Sequence, residues 1–258
     1  MCDGYHLNPG HQLYIDIHSH ILPGVDDGPA TSDISIKMIR RAAASGIKAL
    51  VATPHIMERP SPAWEKNLLA VFHSLCRTVI EEQIDIDLYL GSELMFQFGI
   101  DQLVERSFGT YRGMGRYFLV ETPMTQYPGH FEQSVSALIS RGRLPIFAHP
   151  ERIQPLVGNA ERIASLVRNG FITAVSSGSL LGSFGRRIQS FAWELLDLGI
   201  VHIVASDAHD TVDRTFNLDV TWEAITERFD EDTAEMLLTK NPLHVLFGEP
   251  VEPIRAGR

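Results

Sequence analysis

Cysteine is nearly absent from this chain: Cys2 and Cys76 are its only two in 258 residues. Two cysteines cannot build a disulfide framework, and their scarcity fits a reducing cytosol. Position six after each is Asn8 and Glu82, not arginine, which argues against the covalent thiol route to phosphate-ester cleavage. Cys76, beside Leu75 on an apolar helix face, reads as core. No apolar run approaches the roughly 18–20 residues needed to cross a bilayer. The opening "MCDGYHLNPGHQ" lacks the charged-then-apolar pattern of a leader. A basic excess is missing too: 22 Lys and Arg against 32 Asp and Glu give −10, which argues against a nucleic-acid-binding surface. That acidic average leaves room for a local cationic pocket. No Walker-type glycine loop is present, so nucleoside triphosphate hydrolysis has no support. The expectation is a soluble cytoplasmic protein with no nucleic-acid partner and no transmembrane segment.

What the chain does have is alternation. Hydrophobic residues make up 44% of it, enough for a substantial core. Short runs rich in Ile, Val and Leu alternate with longer stretches of helical period, which implies strand–helix units and a parallel sheet. The strands expected are "LYIDI" (13–17), "KALVAT" (48–53), "IDLYLG" (86–91), "YFLVE" (117–121), "LPIFA" (144–148), "ITAVSS" (172–177) and "VHIVAS" (201–206). Helices are expected from the cap-like Thr31, Ser32 and Asp33 to Gly46, after Pro62, and over 130–141, 159–169 and 185–198. Two or three more close the chain. Seven strands with intervening helices suggest an α/β fold, a closed or nearly closed (β/α)7 barrel, with an open doubly wound sheet as the other architecture. One domain over 13–248 is expected, between a disordered or extended lead-in (1–12) and a tail (249–258). The tryptophans Trp64, Trp193 and Trp222 fall in helical stretches and read as packing, with Trp64 placed where it could also line a mouth.

The chemistry stands at the strand ends. The first strand delivers His18 and His20, followed by Asp26 and Asp27; the second His55; the third Glu93; the fourth Glu121; the fifth His149 and Arg152; the seventh Asp207 and His209. In a parallel barrel these ends open onto one face, where such folds place their active sites. Residues two apart on a strand point the same way, so His18/His20 and Asp207/His209 each form a pair. Singly, each is an ordinary loop, turn or capping residue. Together, buried imidazoles and carboxylates need compensation, and metal ions supply it. Their number exceeds the need of one tetrahedral ion, so a cluster of two or three follows. Mixed imidazole and carboxylate ligands without thiolate suit manganese, iron or zinc.

"DIHSHILPGVDDGP", "TPH", "GSE", "FLVET", "AHPER" and "ASDAH" resemble the PHP (polymerase and histidinol phosphatase) superfamily, and within it the bacterial CpsB/CapC/YwqE-type protein-tyrosine phosphatases. The resemblance spans about residues 14–248. It implies a distorted seven-stranded barrel with an outer ring of helices and three divalent cations, manganese foremost, with iron, cobalt or zinc as alternatives. His18, His20 and Asp207 would hold the first ion, and Glu93 would bridge to a second completed by Glu121 and His149. Asp26, His55 and His209 would hold the third, with the choice between Asp26 and Asp27 open. Arg152 and Arg214 match the family's phosphate-binding arginines, and Asp207 and His209 would share in catalysis. The implied activity is phosphoric monoester hydrolysis by a metal-activated hydroxide. Its substrate would be a phosphotyrosine protein, the tyrosine-rich tail of a bacterial tyrosine kinase regulating capsular and extracellular polysaccharide synthesis. The competing readings are a small-molecule phosphatase of the histidinol-phosphatase kind, another phosphoesterase, and a non-catalytic binding barrel. The stretch after His55, "IMERPSPAW", departs from the basic or glycine-containing loop of the family.

Overall fold

The computed structural model describes residues 13–254. The expected lead-in, Cys2 and the last four residues lie outside that range. Nine strand segments form: β1 (Tyr14–Ser19), β2 (Ile47–Ala52), β3 (His55–Ile56), β4 (Asp87–Leu90), β5 (Glu93–Met95), β6 (Tyr117–Glu121), β7 (Leu144–Ala148), β8 (Ile172–Ser176) and β9 (Ile203–Ala205). They pair in parallel as β1-β2-β4 and as β3-β5-β6-β7-β8-β9.

Nine segments occupy seven strand positions. Thr53 and Pro54 interrupt the second position, and Gly91 and Ser92 the third. Proline has no N–H to give a ladder and glycine weakens one, so both strands break there. Beyond each break the chain pairs afresh, His55 opposite Glu93. The sequence expectation of seven uninterrupted strands thus gains two short segments, and each starts with a candidate ligand. The remaining seam, between β9 and β1, carries one isolated bridge from Ser19 to Ala208. Beside it the Asp207 N–H donates to His18 O at 2.9 Å and the His20 N–H to Ala208 O at 2.8 Å. The result is a distorted barrel stitched at its last seam by the very residues expected in the site.

Among the described residues ten α-helices accompany the strands: α1 (Ser32–Ala44), α2 (Pro62–Glu81), α3 (Ile100–Val104), α4 (Phe131–Ile139), α5 (Ala160–Arg168), α6 (Ser177–Leu180), α7 (Arg186–Asp197), α8 (Leu218–Arg228), α9 (Glu231–Glu235) and α10 (Asn241–Phe247). Ser61 caps α2 by accepting from the Trp64 N–H, and Pro62 supplies a helical φ at its first position. The cap-like Thr31 makes no side-chain cap bond to α1. Strand alternation sorts the core into two clusters. Phe118, Val120 and Phe147 pack with the helices, whereas Leu119, Ile146, Ala174 and Ile203 form an inner cluster.

Val245 and Leu246 of α10 join that inner cluster. Asn241 Nδ2 donates to His202 O, just before β9, and Tyr117 OH at the start of β6 donates to Glu249 O. The closing helix therefore plugs the N-terminal ends of the strands and leaves the C-terminal ends for the site. Residues 249–254, expected in the tail, are held against this plug: Glu252 exchanges hydrogen bonds with the Asn241 amide, and Ile254 is buried. Trp64 turns its edge to Phe108 and takes the packing role. Among the described residues no helix is long and apolar enough to cross a membrane.

Candidate metal centre

Glu93 stands at the centre of the strand ends, fully buried. Its Oε1 lies 2.8 Å from His149 Nε2. Its Oε2 lies 3.0 Å from His18 Nε2, 3.2 Å from His20 Nε2 and 3.1 Å from His55 Nδ1. Glu121 Oε1 is 2.8 Å from the same His55 Nδ1. Asp207 Oδ1 faces His18 and His20 at 3.5 and 3.6 Å, while its Oδ2 accepts from Arg152 Nη1 at 2.6 Å and Arg214 Nη2 at 2.8 Å. One oxygen of Asp207 thus faces imidazoles and the other guanidiniums.

Three groups of ligand atoms result: His18, His20, Glu93 and Asp207; His55, Glu93 and Glu121; and His20, Asp27, His55 and His209. Within each, the ligand atoms lie within 4.8 Å of one another. His149 adjoins the second group through Glu93, at 3.9 Å from Glu121. Glu93 is shared by two groups, which is the arrangement a bridging carboxylate requires.

Asp26 is the exception to the expected ligand set. Its Oδ2 accepts from His20 Nδ1 at 2.7 Å and from the His55 N–H at 3.1 Å, and its Oδ1 accepts from the Gly28 N–H. These bonds occupy both its oxygens, although the residue still lines the cleft. Asp27, the alternative left open, is the one grouped with the imidazoles, with Oδ1 3.3 Å from His209 Nε2 and 3.6 Å from His55 Nε2. Gly28 makes this turn possible, since a Cβ there would stand 2.5 Å from His20 O.

The donor set fits divalent cations. Five carboxylates (Asp26, Asp27, Glu93, Glu121 and Asp207) meet two guanidiniums, so the pocket is strongly negative. Burial opposes protonation of His20, yet the Asp26 and Glu93 carboxylates push its pKa up to about 10. Burial, with His20 stacked 3.8 Å away, holds His209 down to about 3. The His209 Nδ1–H donates to Asp207 O, which leaves a lone pair on Nε2. That Nε2, with His55 Nδ1, Glu93 Oε2 and Glu121 Oε1, is buried and lies within ion-pair distance of its neighbours, yet in hydrogen-bond geometry with none of them. Orphaned acceptors on both imidazole and carboxylate are what a cation, rather than a proton network, would satisfy. Among the described residues no thiol joins the ligand groups: Cys76 is half-buried on α2, and burial raises its pKa.

Two of the four described non-glycine residues with positive φ stand at the same place. His149 and Asp207 have φ of 35° and 54°, in the left-handed region that non-glycine residues seldom enter. After His149 a 3₁₀ turn, Pro150–Arg152, carries Arg152 inwards, where its guanidinium also stacks 4.1 Å over the Phe184 ring. Arg214 is delivered by a loop folded on Asp210, whose Oδ1 accepts from the N–H groups of Val212, Asp213 and Arg214. Both arginines line a cleft of about 460 Å³ together with Asp27, His55, Glu121 and Asp207.

The family model for capsular polysaccharide synthesis CpsB/CapC matches residues 14–247. The chain belongs to the CpsB/CapC family. It is 31% identical over 249 residues to the tyrosine-protein phosphatase YwqE of Bacillus subtilis, covering 93% of this chain and 96% of that one. It is 30% identical to the putative tyrosine-protein phosphatase CapC of Staphylococcus aureus, over 79% of this chain and 80% of the other. The crystal structures of YwqE from Bacillus subtilis and CpsB from Streptococcus pneumoniae, described as metal-dependent tyrosine phosphatases, include a chain that superposes with a TM-score of 0.86. That chain has 31% identity, over 94% of this chain and 98% of that one.

Within this CpsB/CapC barrel, three further residues support the site, and their role was not evident from strand-end position. Asp16, fully buried, accepts from the Ser206 and His18 N–H groups; burial pushes its carboxyl up to about 6 against those bonds. Glu151 accepts from the Ser176 N–H and the Ser179 hydroxyl and so ties the Arg152 turn to β8. Asp210 is the third. Acidic residues inside "YIDIHS", "HPER" and "DAHD" are the only signal the sequence offers for them.

Proposed function

We propose that this chain is a metal-dependent protein-tyrosine phosphatase that hydrolyses phosphotyrosine monoesters in one barrel domain. The observation that supports it most is the Glu93 carboxylate, shared between two ligand groups and set beside an Asp207 that holds both arginines. His18, His20, Glu93 and Asp207 would hold one cation, Glu93, Glu121 and His149 with His55 at its edge a second, and Asp27, His55 and His209 a third. An imidazole–carboxylate set suits manganese, iron or zinc; manganese is placed first, with iron, cobalt and zinc as alternatives, on the resemblance to the family. Bound cations would supply neutralisation of the dianionic ester and activation of water at neutral pH.

The rest belongs to the protein's own side chains. Arg152 and Arg214 present guanidinium forks to the non-bridging oxygens of the phosphoryl group, as their planar geometry suits. Asp207 orients both forks through Oδ2. Asp26 fixes the His20 ring by accepting from Nδ1, so Nε2 faces the site. A phenolate leaves readily, its conjugate acid having a pKa near 10, so this pocket needs no strong general acid.

Membership in a capsular polysaccharide family supports a cytoplasmic role on the phosphorylated tyrosine-rich tail of a bacterial tyrosine kinase. The deciding experiment compares turnover of phosphotyrosine peptide, histidinol phosphate and single-stranded DNA with Mn, Fe, Co or Zn, alongside elemental analysis of the purified protein. Turnover of the phosphotyrosine peptide above the others is expected. Failure to cleave it with any of the four metals would overturn the reading.

A further inference from the structure

The loop that departs from its family, "IMERPSPAW", opens a pattern that the hydrolytic chemistry does not use. Each of three candidate ligands is followed closely by a methionine: His55 by Met57, Glu93 by Met95 and Glu121 by Met124. Their strands, β3, β5 and β6, are consecutive neighbours in the sheet. Residues two apart on a strand share a face, so Met95 continues the Glu93 side of β5 one level further out. Met57 follows His55 in the same step.

All three methionines line the cleft that Arg152 and Arg214 also line. They are held there. Gln97 Nε2 donates to both Met57 O and Met95 O, at 3.3 and 3.4 Å, and the Gln154 N–H donates to Met124 O at 2.8 Å. Met57 is 57% exposed, although apolar side chains beside a charged cluster gain nothing from that position on their own. The cleft therefore has two unlike walls: guanidiniums on the β7 and β9 side, thioethers on the β3, β5 and β6 side. A ligand matching both carries a dianionic head and a flat apolar body.

We infer that Met57, Met95 and Met124 form an aryl-binding wall that selects phosphomonoesters of phenols over those of aliphatic alcohols. The inference rests on the phosphatase reading above. Thioether sulfur makes favourable contact with aromatic rings, and an unbranched methionine adapts its rotamers to the ring. Such a wall would grip the tyrosyl ring.

The test is calorimetric binding of phenylphosphonate and of inorganic phosphate to the manganese-loaded protein. Wild type is compared with Met57→Gln, with Met57→Gln/Met95→Gln and with Met57→Leu/Met95→Leu, and folding is checked by circular dichroism. Phenylphosphonate should bind wild type more tightly than phosphate does, and the double Gln variant should lose about tenfold of that affinity. Phosphate affinity should move less than about twofold, and the double Leu variant should keep most of the phenyl preference. Met57→Gln, altered at a half-exposed loop position, should show part of the loss even where the double variant folds poorly. Equal affinity of wild type for the two anions, or parallel losses for both in the Gln variants, would overturn the wall. Absence of phosphotyrosine turnover by wild type would instead overturn the phosphatase reading.

Discussion

Asp26 Oδ2 lies 2.7 Å from His20 Nδ1, on the far side of the ring from Glu93. Its neighbour Asp27 faces His209 and His55 instead. Adjacent carboxylates thus have different work, and substitution separates them. Asp26→Asn should weaken metal affinity about 10–100-fold, the usual cost of losing a carboxylate behind a ligating imidazole, with activity recovered at high metal. Asp27→Asn should lose activity that added metal does not restore. Titrating each variant with manganese while following phosphotyrosine hydrolysis decides it; the opposite assignment would show Asp26→Asn as the variant that metal cannot rescue.

Glu93 has the largest consequence of any single carboxylate here. Burial opposes its ionisation, but His18, His149 and His20 hold its pKa well below the usual carboxylate range. Glu93→Gln keeps the shape and removes the charge that two ligand groups share. Turnover should fall by more than about a hundredfold. Chelation should lower the melting temperature of wild type, since a ligand at a thousand times its Kd contributes about 4 kcal/mol. The same treatment should move Glu93→Gln far less. Equal melting shifts on chelation would remove Glu93 from the metal centre.

The strand–helix alternation and the rim of histidines and acids were legible because both follow from periodicity: apolar runs mark strands, and a parallel barrel collects their C-terminal ends. His55 and Glu93 were visible as residues but not as short strands of their own, because Pro54 and Gly91 break the ladder just before them. The choice between Asp26 and Asp27 was beyond the sequence. It depends on which way the "DDG" turn faces, and that is set by the approach of Gly28 to His20 O. The supporting acids Asp16, Glu151 and Asp210 were missed for a related reason. Their partners are backbone N–H groups, which no sequence pattern displays.

Arg214 depends on Asp210 for its position. The Asp210 Oδ1 accepts three successive N–H groups, and the His209 N–H closes the loop by donating to Arg214 O at 2.8 Å. Asp210→Ala leaves these donors without a side-chain acceptor and loosens the loop. The KM for a phosphotyrosine peptide should rise roughly 3–10-fold, the factor that corresponds to losing about 1 kcal/mol of loop hydrogen bonding. Asp210→Asn keeps the oxygen and should stay near wild type. Steady-state kinetics on both variants checks this; an Asn variant as impaired as Ala would mean that charge, not loop geometry, is what Asp210 supplies.

His202 offers a pH test away from the metal centre. Burial beside β8 pushes its pKa down to about 4, and its Nδ1 accepts from the Thr173 N–H at 3.3 Å, a bond that protonation would abolish. Well above pH 6.5 the imidazole is neutral in both folded and unfolded chains and contributes no pH dependence. As pH falls from 6.5 towards 4, the unfolded chain takes up a proton that the folded chain refuses, so stability falls. The loss reaches about 3 kcal/mol by pH 4. His202→Gln cannot titrate, so its stability relative to wild type should improve steadily over that window. Urea unfolding of both proteins at pH 7, 6, 5 and 4 gives the difference directly, and titrations at the metal centre cancel in it. A difference that stays constant from pH 7 to pH 4 would show that His202 does not carry this proton linkage.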